Sequence, residues 1–166
     1  EERGCTFIHP FNDLDVVTGQ GTIAMEIIQE LPTVDYIFVP VGGGGLLTGV
    51  ATLAKMLNPK IKVVGVEPIE AASMSAALAA GEVVELESAN TIADGTAVRA
   101  VGDKLLPYVQ QNVDSVLLVD DDELIGVFLD LVENHKMVVE NSGMLTVAAL
   151  KQMDLRGKKV VCVLSG

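Results

Sequence analysis

Four consecutive glycines, Gly42 to Gly45, stand between an apolar run, Tyr36–Val41, and a helix-forming stretch, Leu46–Leu57. Residues without a Cβ let the backbone approach an oxyanion closely. The free N–H groups and the dipole at the start of the following helix favour negative charge at the same point. Strand, glycine loop and helix N-terminus in that order make an anion site, and phosphate is the expected guest. The P-loop is excluded, because it ends in Gly-Lys-Ser/Thr and Gly45 is followed by Leu46-Leu47. The dinucleotide fingerprint separates its glycines and adds an acidic residue about 20 positions on. These glycines are contiguous, although Glu67, 22 residues past Gly45, keeps a nucleotide reading open. A ligand-free turn is the plainer alternative, yet a strand-to-helix connection seldom needs four glycines.

The elements that must position this loop alternate along the chain. Short strands are expected at Cys5–Ile8, Tyr36–Val41, Lys62–Val66, Val113–Val119 and Lys159–Leu164, with a brief extended piece at Val138–Glu140. His9–Asp15 reads as a turn. Helices are expected from Thr18 or Gly19 to Leu31, closed by Pro32, and at Leu46–Leu57, Glu70–Ala80, Asp103–Gln111 and Asp120–Glu133. A last helix runs from Ser142 or Gly143 to Met153. Glu82–Val98 has little periodicity and reads as a long loop, a kind that is usually functional. Strands alternating with helices give an α/β class with a mainly parallel sheet and helices on both faces. Ligands in such sheets bind beyond the carboxyl ends of the strands. Gly42–Gly45, Glu67-Pro68 and Ser165-Gly166 all fall there.

A chain of 166 residues is one domain by length, and 49% apolar content supplies a core. The net charge of −12 argues against nucleic acid or an anionic membrane as partner. No apolar run approaches the ~18 residues of a membrane span. Cys5 and Cys162 lie in or beside apolar strands and read as buried thiols of a cytoplasmic protein rather than a disulfide. Two histidines without a Cys or His cluster give no zinc site. The first residue is not Met and the last two follow a strand directly, so the chain reads as a piece of a longer polypeptide.

Six segments occur in a telling order: His9-Pro-Phe-Asn-Asp13, Gly19-Gln-Gly-Thr22, Pro40-Val-Gly-Gly-Gly-Gly-Leu46, Val66-Glu-Pro68, Thr91-Ile-Ala-Asp-Gly95 and Val163-Leu-Ser-Gly166. With them the whole chain resembles the second half of the fold-type II (tryptophan synthase β-like) pyridoxal-phosphate enzymes. It resembles threonine ammonia-lyase (threonine dehydratase) and serine racemase most. The resemblance implies the large-domain portion of that fold and pyridoxal 5'-phosphate as cofactor. Gly42, Gly43, Gly44, Gly45 and Leu46 would hold the cofactor phosphate, with Gly95 and Glu140 near the ring. Ser165 would hydrogen-bond the pyridine nitrogen; a neutral hydroxyl cannot keep that nitrogen protonated as a carboxylate would, which suits β-elimination. Asp94 reads as a loop cap.

Glu67 and the Ala71 carbonyl match two ligands of a divalent-cation site (Mg or Ca) in the racemase branch. Ser73 stands where the third, acidic ligand is found, and a hydroxyl is a poorer ligand for a hard cation. Glu67 as a simple cap for the following helix is the alternative. His9 and His135 carry no catalytic assignment.

The family's Schiff-base lysine lies in its first half, as does the loop for the substrate carboxylate. Neither is present. The eight lysines here read as solvated charges rather than as one held in an apolar site. The resemblance therefore implies a fragment, inactive alone, of an enzyme eliminating water from L-threonine or L-serine to give a 2-oxo acid and ammonia. Its partners would be that amino acid, the missing N-terminal portion of the chain and further copies in a homo-oligomer. A serine racemase or hydroxyaspartate ammonia-lyase of the same family is one alternative. A non-catalytic phosphate-ligand binding or regulatory domain is another.

Overall fold

The computed structural model describes residues 4 and 6–165. Cys5, in the expected first strand, and Gly166, in the C-terminal segment of the expected pocket, lie outside the described residues. Four strands form one sheet: β1 (Tyr36–Pro40), β2 (Lys62–Pro68), β3 (Ser115–Val119) and β4 (Val160–Cys162). Their order is β3-β2-β1-β4 and every pairing is parallel. Tyr36 aligns with Lys62 on one side and Val160 on the other, while Val64 aligns with Ser115. The glycine loop thus leaves the central strand β1. Hydrogen bonds from Val41 N–H to the Val66 carbonyl and from Val163 N–H to the Phe38 carbonyl carry the pairing past the strand ends.

Alternating side chains feed two cores. Ile37, Val39 and Val63 face one, with Ala24, Leu47, Val50, Met74 and Val109 from the helices on that side. Phe38, Val64 and Val66 face the other, with Leu124, Met144, Leu145 and Ala148. Helices α1 (Leu14–Glu30), α2 (Gly45–Leu57), α3 (Ser73–Ala80) and α4 (Leu106–Asn112) contribute to the first core. Helices α5 (Asp121–Asp130) and α6 (Asn141–Ala148) contribute to the second. Coverage of both faces explains why the strands read as continuous apolar runs.

Several boundaries differ from the sequence expectation for identifiable reasons. Helix α1 starts at Leu14, because the Asp13 carboxylate accepts the N–H groups of Asp15 and Val16 and caps the helix there. Thr6–Ile8 form no strand. Asp120–Glu133 is α-helical only to Asp130; Leu131–His135 then widen into a π-turn that ends at Lys136, with φ 59°. Residues 138–140 have no strand partner. Glu82–Val98 is an irregular connection holding a short 3₁₀ turn at Asp94–Thr96, and it is clipped at its base by Leu86 N–H on the Arg99 carbonyl. Gly21 and Gly49 let α1 and α2 pack almost in backbone contact. A Cβ on Gly49 would lie 2.4 Å from the Val17 carbonyl oxygen, and one on Gly21 3.2 Å from the Gly49 carbonyl oxygen.

Candidate functional site

Helix α2 has no side-chain cap. Its N-cap is Gly44, held at φ 95°, a left-handed conformation that glycine adopts without strain. Three hydrogen bonds on two carbonyls turn the loop outward. The Gly43 carbonyl accepts Gly102 N–H at 3.0 Å, and the Gly44 carbonyl accepts both Thr48 N–H (2.9 Å) and Thr48 Oγ1 (2.7 Å). In a trans peptide the N–H points opposite to the C=O. The N–H groups of Gly44 and Gly45 therefore point away from those partners.

Gly43, Gly44 and Gly45 are buried, and among the described residues none of their N–H groups donates to a protein acceptor. Buried N–H groups without partners are rare in folded chains. Three in succession at a helix start mark a place for an acceptor with several oxygens.

The loop floors a cleft of about 450 Å3, within the range of about 300–1,000 Å3 common for small-molecule sites. Leu46, Gly95 and Ser165 line it as well. Of the eight positions expected at the cofactor, the structure thus gathers Gly42 to Leu46, Gly95 and Ser165. Glu140 is not among them: it is exposed at the start of α6, and its carbonyl accepts Gly143 N–H at 3.0 Å.

Gly95 is set by ties from a distance. Thr91 Oγ1 and Ile92 N–H both donate to Asp121, at 2.6 and 3.0 Å, and Asn141 Nδ2 donates to the Ile92 carbonyl at 2.8 Å. Asp94 accepts Gly95 N–H at 3.1 Å, as a loop cap does.

Glu67 is fully buried at the end of β2. Its carboxylate accepts Met74 N–H (2.6 Å), Ser75 N–H (2.9 Å) and Ser75 Oγ (2.8 Å), so it caps α3. Burial pushes its pKa above the usual carboxylate range, and these hydrogen bonds offset part of the rise. Ala71 and Ser73 are buried beside it, and Ser73 Oγ has no hydrogen-bond partner. Among the described residues no group of three or more His, Cys, Asp or Glu side chains gathers for a metal ion.

Among the described residues no lysine lines the cleft. Lys55, expected as a solvated charge, is instead largely covered: Nζ meets Asp114 at 2.7 Å and the Ile61 carbonyl at 2.6 Å. Its partner lies 59 residues away in sequence, which is why spacing did not reveal it. Sequence reasoning also missed Pro10, Phe11, Gln20 and Thr96, which line the cleft. The His9–Asp13 segment was the signal for the first two. A larger cleft, about 600 Å3, lies between α1 and α2 among Leu14, Val17, Met25, Leu53, Met56 and Tyr108. Thr18, Thr22, Glu26 and Thr52 also line it, but apolar side chains dominate and, among the described residues, it has no run of unpartnered backbone N–H groups like that of the glycine cleft.

A parallel α/β sheet with an anion cradle at the carboxyl end of its central strand defines the class. The model of the family described as "Pyridoxal-phosphate dependent enzyme" matches residues 1–166, and the chain belongs to that family. It is 44% identical over 167 residues to an L-threonine ammonia-lyase of Thermotoga maritima, covering all of this chain and 42% of that protein. It is 45% identical over 170 residues to a biosynthetic L-threonine dehydratase of Pasteurella multocida, covering all of this chain and 33% of that one. Among solved structures, threonine deaminase isoform 2 of Solanum lycopersicum superposes with a TM-score of 0.92 at 36% identity, over 99% of this chain and 49% of that one. Maize serine racemase gives 0.93 at 38%, over 99% and 52%. The chain therefore spans 42% and 33% of the length of the two curated relatives.

Proposed function

We propose that this chain is the cofactor-holding portion of a pyridoxal-phosphate-dependent ammonia-lyase that removes water from L-threonine or L-serine and releases a 2-oxo acid and ammonia. The observation that carries it is the run of buried, unpartnered N–H groups at Gly43–Gly45 in one cleft with Ser165. The residues present fit the cofactor: the loop N–H groups suit its phosphate, and a side chain on Gly42, Gly43 or Gly45 would crowd neighbouring atoms. When bound, pyridoxal phosphate draws electrons from the substrate's Cα.

The chain's own residues do the rest of the holding. Gly42 to Leu46 bind the phosphate through the backbone, with the start of α2 adding favourable potential. Ser165 meets the ring nitrogen with a neutral hydroxyl. Gly95 would lie beside the ring; Glu140, exposed at the start of α6 and not part of the cleft lining, is assigned there by the resemblance alone. The proton-moving lysine and the loop for the substrate carboxylate come from the rest of the polypeptide, and the complete enzyme is a homo-oligomer. A free thiol at Cys162 supports a cytoplasmic location.

A racemase acting on serine is the second reading, favoured by the equally good superposition on maize serine racemase. Its companion is a divalent cation at Glu67, the Ala71 carbonyl and Ser73. The unpartnered Ser73 Oγ supports that site, while the three hydrogen bonds already on Glu67 compete with it.

The test uses the full-length protein. Pyridoxal-phosphate absorbance should accompany the purified protein, and L-threonine or L-serine should yield a 2-oxo acid. D-serine as the main product would favour the racemase, and a cation-dependent rise in melting temperature would favour the metal site. A protein that holds no cofactor and forms neither product would overturn the proposal.

A further inference from the structure

The segment His9-Pro-Phe-Asn-Asp13 has no part in holding the cofactor as described so far, yet it packs against the glycine loop from two sides. His9 Nδ1 accepts the N–H groups of Phe11 (3.3 Å) and Asn12 (2.9 Å), which closes the turn. The His9 and Phe11 rings meet edge to face at 4.6 Å. This fixes the Phe11 ring over Gly43: a Cβ on Gly43 would sit 2.3 Å from Phe11 Cγ. The Phe11 backbone continues the contact, with Cα 3.1 Å and the carbonyl oxygen 3.2 Å from where a Gly45 Cβ would lie.

Asn12 reaches the other side of the loop. Its Nδ2 donates to Asp103 Oδ1 at 2.7 Å, and its Oδ1 accepts Lys104 N–H at 3.2 Å. The Asn12 Nδ2 bond to its carboxylate is the main cause holding the Asp103 carboxyl below its ordinary range. The turn so gripped contains Gly102, whose N–H holds the Gly43 carbonyl. A Cβ on Gly102 would come within 2.7 Å of Asn12 Oδ1. Asp13 then starts α1, which carries Gln20 and Ile23 along the same cleft.

We infer that the His9–Asp13 turn is the positioning element of the phosphate cradle. Phe11 bears on the faces of Gly43 and Gly45, and Asn12, through the 102–104 turn, orients the peptide whose N–H is that of Gly44. Phe11 is also the steric reason that position 43 is glycine. This rests on the proposed cofactor site, but its packing half stands without it.

Phe11→Ala, Gly43→Ala and the double variant, made in the full-length protein, test it by two readouts. The first is melting temperature with the cofactor removed. Gly43→Ala should lower it sharply in the wild-type background and much less beside Phe11→Ala. Equal penalties in both backgrounds would overturn the inference. If Gly43→Ala alone does not fold, recovery of folded protein in the double variant supports it and failure to recover overturns it.

The second readout is the affinity for pyridoxal phosphate beside that for pyridoxal, which lacks the phosphate. Phe11→Ala and Asn12→Ala should weaken the first by about tenfold, the scale of a small misplacement of binding groups, and leave the second nearly unchanged. A parallel loss of both ligands would show a merely structural turn and overturn the positioning role. A wild-type protein that binds neither ligand would sink the cofactor proposal, and the coupling of Phe11 with Gly43 would still decide the packing.

Discussion

A β-carbon on Gly143, in the first turn of α6, would lie 2.6 Å from the carbonyl oxygen of Ser165 and 2.8 Å from Val139 Cγ1. Helix α6 thus approaches the chain beyond β4 through a glycine, and that approach sets where Ser165 enters the cleft. Thr146 helps from the next turn, its Oγ1 donating to the Val163 carbonyl at 3.3 Å. Gly143→Ala should push Ser165 away and cost about 1–3 kcal/mol, as overpacking does. In the full-length protein it should lower the melting temperature and shift the absorbance of bound cofactor. Unchanged melting and an unchanged spectrum would remove Gly143 from this role.

Gly44 is the loop residue whose backbone demands glycine most, at φ 95°. Gly44→Asn and Gly44→Asp carry similar strain, because both side chains tolerate the left-handed region better than others. Either should lose up to about 1–2 kcal/mol of stability on that account. Only Asp adds a negative charge beside the expected phosphate, so Asp should weaken cofactor binding well beyond Asn. Equal affinities for the two variants, measured by cofactor titration, would argue against a phosphate at this loop.

The four strands of the sheet and the strand–glycine–helix order at Gly42–Gly45 were legible because their signals are local. Tyr36–Val41 is a β-branched run broken by glycines, and the structure keeps it as a strand to Pro40. The start of α1 was less so, since Asp13 belongs equally to a turn and to an N-cap until its partners are seen. Lys55 and Asp114, Thr91 and Asp121, and Phe11 and Gly43 were illegible for another reason. Each pair is joined by the crossing of parallel strands or the return of a loop, which no spacing along the chain encodes. Glu140 shows the same limit in reverse: a carboxylate expected near the ring by resemblance is exposed at the start of α6 and does not line the cleft.

Asp114 ties three elements together at the edge of the sheet opposite the cleft. Its carboxylate meets Lys55 Nζ at 2.7 Å, Lys62 Nζ at 2.8 Å and Val63 N–H at 2.8 Å. Partial burial alone would raise its pKa, but the two ammonium groups and the N–H outweigh it and hold the carboxyl below its usual range. A depressed carboxyl stabilises the fold above its unfolded pKa, about 3.9, and loses that contribution as pH falls through the folded value. Asp114→Asn should cost about 1–3 kcal/mol near neutrality. Its melting temperature should converge on that of the wild type as the pH is lowered towards about 3. A gap that stays constant across that range would contradict the ion-pair account.

Cys162, on β4, is a free thiol whose Sγ lies 3.7 Å from the Thr146 carbonyl. Burial pushes its pKa from 9.0 up to about 11, against a smaller opposing effect of Thr146. The raised value means that its stabilising contribution is present below pH 9 and is lost as the pH rises through about 11. The thiolate is the reactive form, and two pKa units reduce it about a hundredfold at neutral pH. Iodoacetamide should therefore modify Cys162 at least about a hundredfold more slowly in the folded full-length protein than in urea, as read by mass spectrometry of the peptide that contains it. Because Cys162 lies three residues before Ser165 in the same segment, the small fraction that does react should also lose cofactor. Equal rates in the folded and unfolded protein would place this thiol at the surface and dissociate it from the cleft.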